Sequence, residues 1–398
     1  MGTRLKQVSA VTTGLLLLLV VLVYLKRWSD AQAIAQVCPG QTLSSHSPRV
    51  PNQNGFIGNG QKCCDFVNGK ALKKLCEYDD KRTTPDDTLK GPTGCTCMDY
   101  LHCKLVVVSS VSSNHFSEAT GMIVSVQRHM PHTRLILYSL GLTGEESELL
   151  SSYCNLELRV FDFSKYPHVA YSRKNLRAFG WKPLIVKEIS EEYEVLAYFD
   201  SSVRLTGPID KDVLKYLLSS PAFIAGPWKG NSCIRSDNPI VSYTHDETLK
   251  YLFPVKSQNL IQLRKELRVW GHIQAGCWLM WLNSEMRKKV LNNWVDCAFH
   301  EQCMAPRESK IDGCILVNVL MADYVSEGRY IGCHRYDQSA LNLIFYREFG
   351  ESAAEWVCHD FVFYLLQIQR ESNLVFYLFV FFVIILITTT VILNWHYH

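Results

Sequence analysis

The chain has 398 residues, 47% of them hydrophobic and 12% aromatic, with 41 Lys+Arg against 38 Asp+Glu. The near-balance of charge excludes the basic footprint of a nucleic-acid binder, and the aromatic content excludes a disordered chain. The 15 Cys point to an oxidising compartment.

Two apolar runs frame the sequence. Gln7 to Leu25 carries no charge and is long enough to cross a hydrocarbon core. Residues 1–27 are therefore expected to be a cytosolic tail and an uncleaved signal anchor. A cleaved signal peptide is the alternative, with Ala31-Gln32-Ala33 as a weak cleavage site. Leu374 to Leu393 is aliphatic and aromatic apart from three Thr, and Trp395 and Tyr397 suit an interfacial belt. Residues 372–398 are expected to be a second transmembrane helix with a short tail; a lipid-anchor signal competes with that reading. Two spans would leave 28–371 on one side of the membrane, in the lumen of the Golgi or endoplasmic reticulum. Every Cys falls inside that segment. Neither run holds an ionisable residue that would mark a transport pathway.

Residues 28–103 read as a stem and a Cys-rich module, with Cys38, Cys63, Cys64, Cys76, Cys95, Cys97 and Cys103. Disulfides are expected there and in the following domain. Cys297 and Cys303 sit near one helix end, and Cys314 and Cys333 lie close in sequence to the segment His334–Asn342. Connectivity does not follow from sequence. Asn231-Ser232-Cys233 is a poor variant of a glycosylation signal.

From residue 104 the pattern alternates between strand and helix. Leu105–Ser110, Arg134–Ser139, Leu156–Asp162 and Val195–Asp200 read as strands; Ser117–Met130, Glu145–Tyr153 and Trp181–Glu192 read as helices. Such alternation implies an α/β domain over 104–371 with a mostly parallel central sheet flanked by helices. Ligands of such sheets bind beyond the carboxyl ends of the strands, where Asp200 lies. The later part is less regular. Ala222–Gly226 and Cys277–Leu282 read as strands, and Lys211–Leu218, Ser284–Phe299 and Gln338–Tyr346 as helices.

Three segments stand out in order: Tyr198-Phe-Asp-Ser-Ser-Val203, Gln274-Ala-Gly-Cys-Trp278 and His334-Arg-Tyr-Asp-Gln-Ser-Ala-Leu-Asn342. Their order resembles that of GT-A-fold glycosyltransferases, above all the retaining ones of the glycogenin and bacterial galactosyltransferase kind. Residues 104–350 also look like a family of largely uncharacterised, glycosyltransferase-like animal membrane proteins abundant in nematodes. That second likeness is carried by Asp200-Ser-Ser-Val-Arg204, Trp294-Val-Asp-Cys-Ala298 with Cys303 and Pro306, and His334–Asn342.

The resemblance implies a nucleotide-sugar donor, a UDP-sugar by analogy, and a glycan, protein or lipid acceptor. It implies Mn²⁺ or Mg²⁺ neutralising the departing diphosphate. Asp200 takes the metal-ligand role, and Ser202 stands where the family's pattern has a second Asp. Asp337 and Gln338 match the pair beside the reacting carbon; Asp337 as a helix cap is the plainer reading. Arg335 could pair with diphosphate or with Asp337, and His334 could be structural or a ligand. Gly276 reads as a close approach of backbone to sugar, or as a simple turn. Lys182 at a helix N-terminus opposes the helix dipole, which suggests an anionic ligand, although a solvated surface Lys explains it too. His359 is a further metal-ligand candidate. Asp200 and Asp337 should converge on one cleft roughly 6–12 Å apart, with room for metal and sugar. The competing reading is a catalytically inactive ectodomain acting in binding or scaffolding, which Ser202 favours.

Overall fold

The computed structural model describes residues 105–131, 133–166, 173–209, 211–219, 222–227, 239–310, 314, 322–350 and 366–368. Both apolar runs, the Cys-rich module, the segment 231–233 and His359 lie outside the described residues. Among the described residues no helix is long and apolar enough to cross a membrane.

Among the described residues eight strands form two sheets: β1 (Leu105–Val111), β2 (Arg134–Ser139), β3 (Leu156–Val160), β4 (Val195–Phe199), β5 (Val203–Leu205), β6 (Phe223–Pro227), β7 (Ile273–Trp281) and β8 (Leu366–Ile368). The main sheet runs β3-β2-β1-β4-β7-β6. The first four strands pair in parallel, β7 runs antiparallel to β4, and β6 pairs antiparallel with β7. The mixed α/β class and the parallel half match expectation. The reversal at β7 does not show in the sequence, because strand direction is set by a long intervening excursion and not by residue pattern. A separate antiparallel pair joins β5 to β8.

The helices used below are α1 (Phe116–His129), α2 (Gly144–Ser151), α3 (Trp181–Ile189), α4 (Lys211–Ser219), α5 (Asp246–Leu252), α6 (Leu260–Leu267), α7 (Asn292–Phe299), α8 (Glu301–Met304), α9 (Ala322–Ser326) and α10 (Tyr336–Phe349). A π-helical stretch, Arg287–Leu291, leads into α7. Thr143 starts α2 with a reciprocal cap: its hydroxyl accepts the Glu146 N–H and the Glu146 carboxylate accepts the Thr143 N–H.

β1 is buried along its whole length. Successive side chains of a strand point to opposite faces, and so its residues divide between two cores. Val106, Val108, Ile136, Tyr138, Leu196, Tyr198 and Trp278 face the larger core with α3 and α10. Leu105, Val107, Leu135, Leu137, Val195, Ala197 and Phe199 face the other with α1 and α4. A continuous Val/Leu run thus serves both layers, as a central parallel strand requires.

Two disulfides tie the later part together, Cys297–Cys303 and Cys314–Cys333. Cys154 is also in a disulfide, and Cys277 is a buried free thiol. The segment before β7 holds α5 and α6, which the sequence reading left irregular. Leu249, Leu252, Leu263 and Leu267 are buried from these two short helices. Their spacing was the available signal, but pieces of seven and eight residues fall below the length at which periodicity separates helix from loop.

Candidate functional site

β4 delivers the site's first acid. Its antiparallel register with β7 sets Phe199 against Cys277, so the next residue, Asp200, falls beside Gly276. The Asp200 N–H donates to the Gly276 carbonyl at 2.7 Å, and the Val203 N–H returns to the Asp200 carbonyl at 2.9 Å. The chain therefore turns tightly at Asp200-Ser201-Ser202. A Cβ on Gly276 would come within 2.2 Å of Asp200 Oδ2. The Asp200 carboxylate by itself leaves no room for a side chain at position 276. The turn is braced from α1: Ser201 Oγ donates to Glu118 Oε2 at 3.3 Å, and Arg204 Nη1 donates to the Ser201 and Val203 carbonyls at 2.8 and 2.9 Å.

The centre of the site is Lys182, the second residue of α3. Its side chain is 3% exposed, so it is no solvated surface lysine. The ammonium lies 3.0 Å from Asp200 Oδ1 and 3.1 Å from Asp337 Oδ2. The rings of Phe179, Trp181 and Tyr198 lie 4.9, 5.8 and 5.4 Å from it and close the remaining sides. Tyr198 is fixed in turn by stacking on Trp278 and by a 3.1 Å hydrogen bond between its hydroxyl and Ser110 Oγ. Burial alone would lower the Lys182 pKa, but Asp200 and Asp337 outweigh it and hold the value above the usual one. These carboxylates also offset the unfavourable placing of a cation at a helix N-terminus.

Asp337 comes from the first turn of α10. Its side chain is 5% exposed, against 37% for Asp200. Burial raises the Asp337 pKa and Asp200 adds to the rise; Lys182 opposes both, and the net result is about 6. Asp200 is therefore the acid open to a ligand, and Asp337 is the acid behind it. The two carboxylates can be no farther apart than their contacts with one ammonium, 3.0 and 3.1 Å, laid end to end. They converge as expected. The space between them holds Lys182 Nζ, and the expected room for a metal and a sugar between them is not there.

The segment around α10 departs from expectation at several residues. Asp337 does not cap a helix beginning at Gln338, since α10 starts at Tyr336. The Gln338 amide does not face the acids: Nε2 donates to the Ile273 carbonyl at 2.8 Å, and Oε1 accepts from Arg335 Nη1 at 3.4 Å. The Arg335 guanidinium also lies over the Tyr243 ring at 5.6 Å. Asn342, one helical turn after Gln338, accepts the Ile273 N–H at 2.8 Å and donates to the Ile273 carbonyl at 3.2 Å. These two amides clamp α10 to the start of β7, and this fixes Asp337 in register with Gly276. Sequence reasoning missed that role, although two amides at i and i+4 share a helix face.

His334 is structural. Its ring is fully buried; Nδ1 accepts the His245 N–H at 3.2 Å, and Nε2 faces the Met304 carbonyl at 3.1 Å. Burial pushes its pKa down to about 3, so it stays neutral. The disulfide Cys314–Cys333 ends at the residue before it. Ser202 sits half-buried in the turn after β4.

A divalent cation fits this donor set poorly. Hard cations take several oxygen ligands, with carboxylates supplying the compensating charge. Here Asp200 has Oδ1 and Oδ2 at 3.0 and 3.4 Å from Lys182 Nζ, Ser202 brings no charge, and Asp337 is held by the same ammonium. No group of three His, Cys, Asp or Glu among the described residues is placed to hold a metal.

Residues 97–187 match a family described as a protein of unknown function, DUF1647. No curated relative matches the chain. Among solved structures it is similar to the bifunctional glycosyltransferase WbbM (14% identity over 62% of this chain, TM-score 0.31). The matched part spans 49% of WbbM, about half of that protein. It is also similar to mouse xyloside xylosyltransferase 1 (11% identity, 67% of this chain and 98% of that one, TM-score 0.36). A third is the mannosyltransferase Ktr4p from S. cerevisiae in complex with GDP (10% identity, 70% and 77%, TM-score 0.37).

Proposed function

We propose that the chain is a membrane-anchored glycosyltransferase of the secretory pathway. It would transfer a sugar from a nucleotide-sugar donor, a UDP-sugar, to a glycan, protein or lipid acceptor, with residues 28–371 in the lumen. One observation carries the reading: Lys182, Asp200, Gly276 and Asp337, spread over more than 150 residues of sequence, meet at one point beyond the carboxyl end of β4. Ligands of α/β sheets bind at such edges. Three of the four belong to the motifs whose order resembles the retaining glycosyltransferases.

The chemistry available is positional and electrostatic. Lys182 fixes the Asp200 carboxylate in one orientation while leaving it part-exposed, so it can accept hydrogen bonds from sugar hydroxyls. Asp337, held behind the ammonium, keeps the centre anionic and rigid. Such preorganisation favours a developing oxocarbenium charge.

The second reading is a catalytically inactive ectodomain. Ser202 favours it, and so does the turning of the Gln338 amide onto backbone. Titration of the full chain with UDP-sugars, followed by a donor-hydrolysis assay, separates the two. Binding lost in Asp200→Ala together with turnover supports the transferase; binding without turnover on any donor supports the scaffold. No nucleotide binding at millimolar concentration would sink the first reading.

A further inference from the structure

We infer that the cation of this site is the Lys182 ammonium, standing in the place where a divalent metal would bridge to Asp200, and that the chain holds its acids without a metal. The inference deepens the glycosyltransferase reading in what it says of the donor, but its metal part rests on the donor set alone.

The ammonium touches both acids at once, 3.0 Å from Asp200 Oδ1 and 3.1 Å from Asp337 Oδ2. It is 3% exposed and walled in by the rings of Phe179, Trp181 and Tyr198. It is therefore held in place by two carboxylates and three rings. A metal on Asp200 would bind at about 2.0–2.6 Å from a carboxylate oxygen. The same oxygens lie 3.0 and 3.4 Å from Nζ. Three positive charges would then crowd around one carboxylate, and like charges at such range repel strongly.

The remaining ligands do not restore the balance. Ser202 supplies at most a neutral hydroxyl. Gly276 offers no side chain, and a Cβ there would itself strike Oδ2 at 2.2 Å. Glu118, a further acid bonded to the turn, is engaged with His115 at 3.1 Å and Ser201 at 3.3 Å. Taking the ammonium away reverses the situation. Asp200 and Asp337 would then face one vacated point from two sides, which is the start of a two-carboxylate metal site.

The test is Mn²⁺ alone, titrated by electron paramagnetic resonance into the detergent-solubilised full chain. The wild type is expected to show no site tighter than about 1 mM. Lys182→Ala and the milder Lys182→Gln, each checked for native near-UV circular dichroism, should bind Mn²⁺ at least about tenfold more tightly than wild type. They should also gain thermal stability from the ion, since a ligand of the native state alone raises Tm. Adding Asp200→Asn to either variant should remove both effects.

Two outcomes overturn the inference. One is a wild-type Mn²⁺ site that Asp200→Asn weakens by about tenfold or more. The other is a folded Lys182→Gln that gains no Mn²⁺ affinity, for then the lysine is not what keeps metal out. In parallel, the affinity for UDP should change by less than about twofold between Mn²⁺ and EDTA, and a loss beyond about tenfold in EDTA counts against the inference. If UDP binds under neither condition, the glycosyltransferase reading fails, and the Mn²⁺ titration alone still decides the metal question.

Discussion

The protein carries two charge networks that look alike in sequence and differ in everything that burial controls. One lies on β3, the edge strand of the main sheet. There Arg134 pairs with Glu157, and Arg159 bridges Glu157 at 2.7 Å and Glu192 at 2.5 Å. Its members are 22% to 47% exposed, and the next residue along the strand, Val160, is 73% exposed. The other is Lys182 with Asp200 and Asp337, where two of three side chains are at most 5% exposed. The β3 network keeps a sheet edge charged and unattractive to another strand. The buried triad joins the parallel half of the sheet to the antiparallel half. Solvent screens the first and reaches the second only at Asp200. Removing one member should therefore have very different consequences in the two places.

The largest effect is expected at Lys182. Lys182→Ala leaves two acids facing each other in a closed site, and breaking a buried ion pair costs about 3–5 kcal/mol. Asp337 can take up a proton and soften the repulsion, so about 3 kcal/mol is expected in urea unfolding at neutral pH. A loss below about 1 kcal/mol, the range of surface pairs, would erase the distinction between the two networks.

Gly276→Ala comes next, at about 1–3 kcal/mol, the usual range for overpacking. The obstacle is a carboxylate already held in place, with Asp200 Cγ at 2.9 Å from the new Cβ as well as Oδ2 at 2.2 Å. If that is the cause, the loss should shrink when Asp200 is also Ala. A double-mutant cycle reads this as non-additivity, and simple additivity would show that the clash lies elsewhere.

The same contrast explains what the sequence made legible. Leu105–Val111, Arg134–Ser139 and Val195–Phe199 are runs of β-branched and apolar residues separated by helix-period segments. Their local pattern and their tertiary role agree, so β1, β2, β4, α1 and α3 are all readable. Asp200, Asp337 and Gly276 stand out in the sequence because they lie in motifs whose order resembles that of a known family. The partners of those residues were not. Lys182 is a cation near a helix start, and only the distances to Asp200 and Asp337 distinguish it from a surface lysine. Gln338 and Asn342 gained their roles from Ile273, some 65 residues away, and no spacing rule reaches that far. The reversed strand β7 depends on α5 and α6, whose short lengths left them unrecognised.

A smaller effect is expected from the proton on Asp337. Its folded pKa of about 6 lies above that of an unfolded carboxylate. The folded state therefore binds this proton more tightly than the unfolded one. The resulting stabilisation is fully present below about pH 4 and is lost as pH rises through about 6. Lys182 stays protonated throughout this window. The stability of the wild type relative to Asp337→Asn should therefore fall between pH 4 and 7. A flat difference, or one that rises, would mean that Asp337 ionises as an ordinary carboxylate and that the triad is wetter than its burial indicates.

The smallest effect belongs to β3. Arg159→Ala removes contacts with Glu157 and Glu192 at once, as many ion pairs as Lys182→Ala breaks at Asp200 and Asp337. A count of ion pairs would rank the two variants alike. Exposure places it last, because Glu192 is 47% exposed and regains water when the guanidinium leaves. Exposed pairs contribute about 0.2–1 kcal/mol, and part of that vanishes in salt. The expected loss is under about 1 kcal/mol at low ionic strength and smaller still in 0.5 M NaCl. The cost of Lys182→Ala should barely respond to the same salt, since ions do not reach a side chain that is 3% exposed. Measuring both variants at two ionic strengths tests burial directly. If Arg159→Ala matched Lys182→Ala in size and in indifference to salt, the edge strand would be a second buried junction, and its charges would serve cohesion as well as protection of the sheet edge.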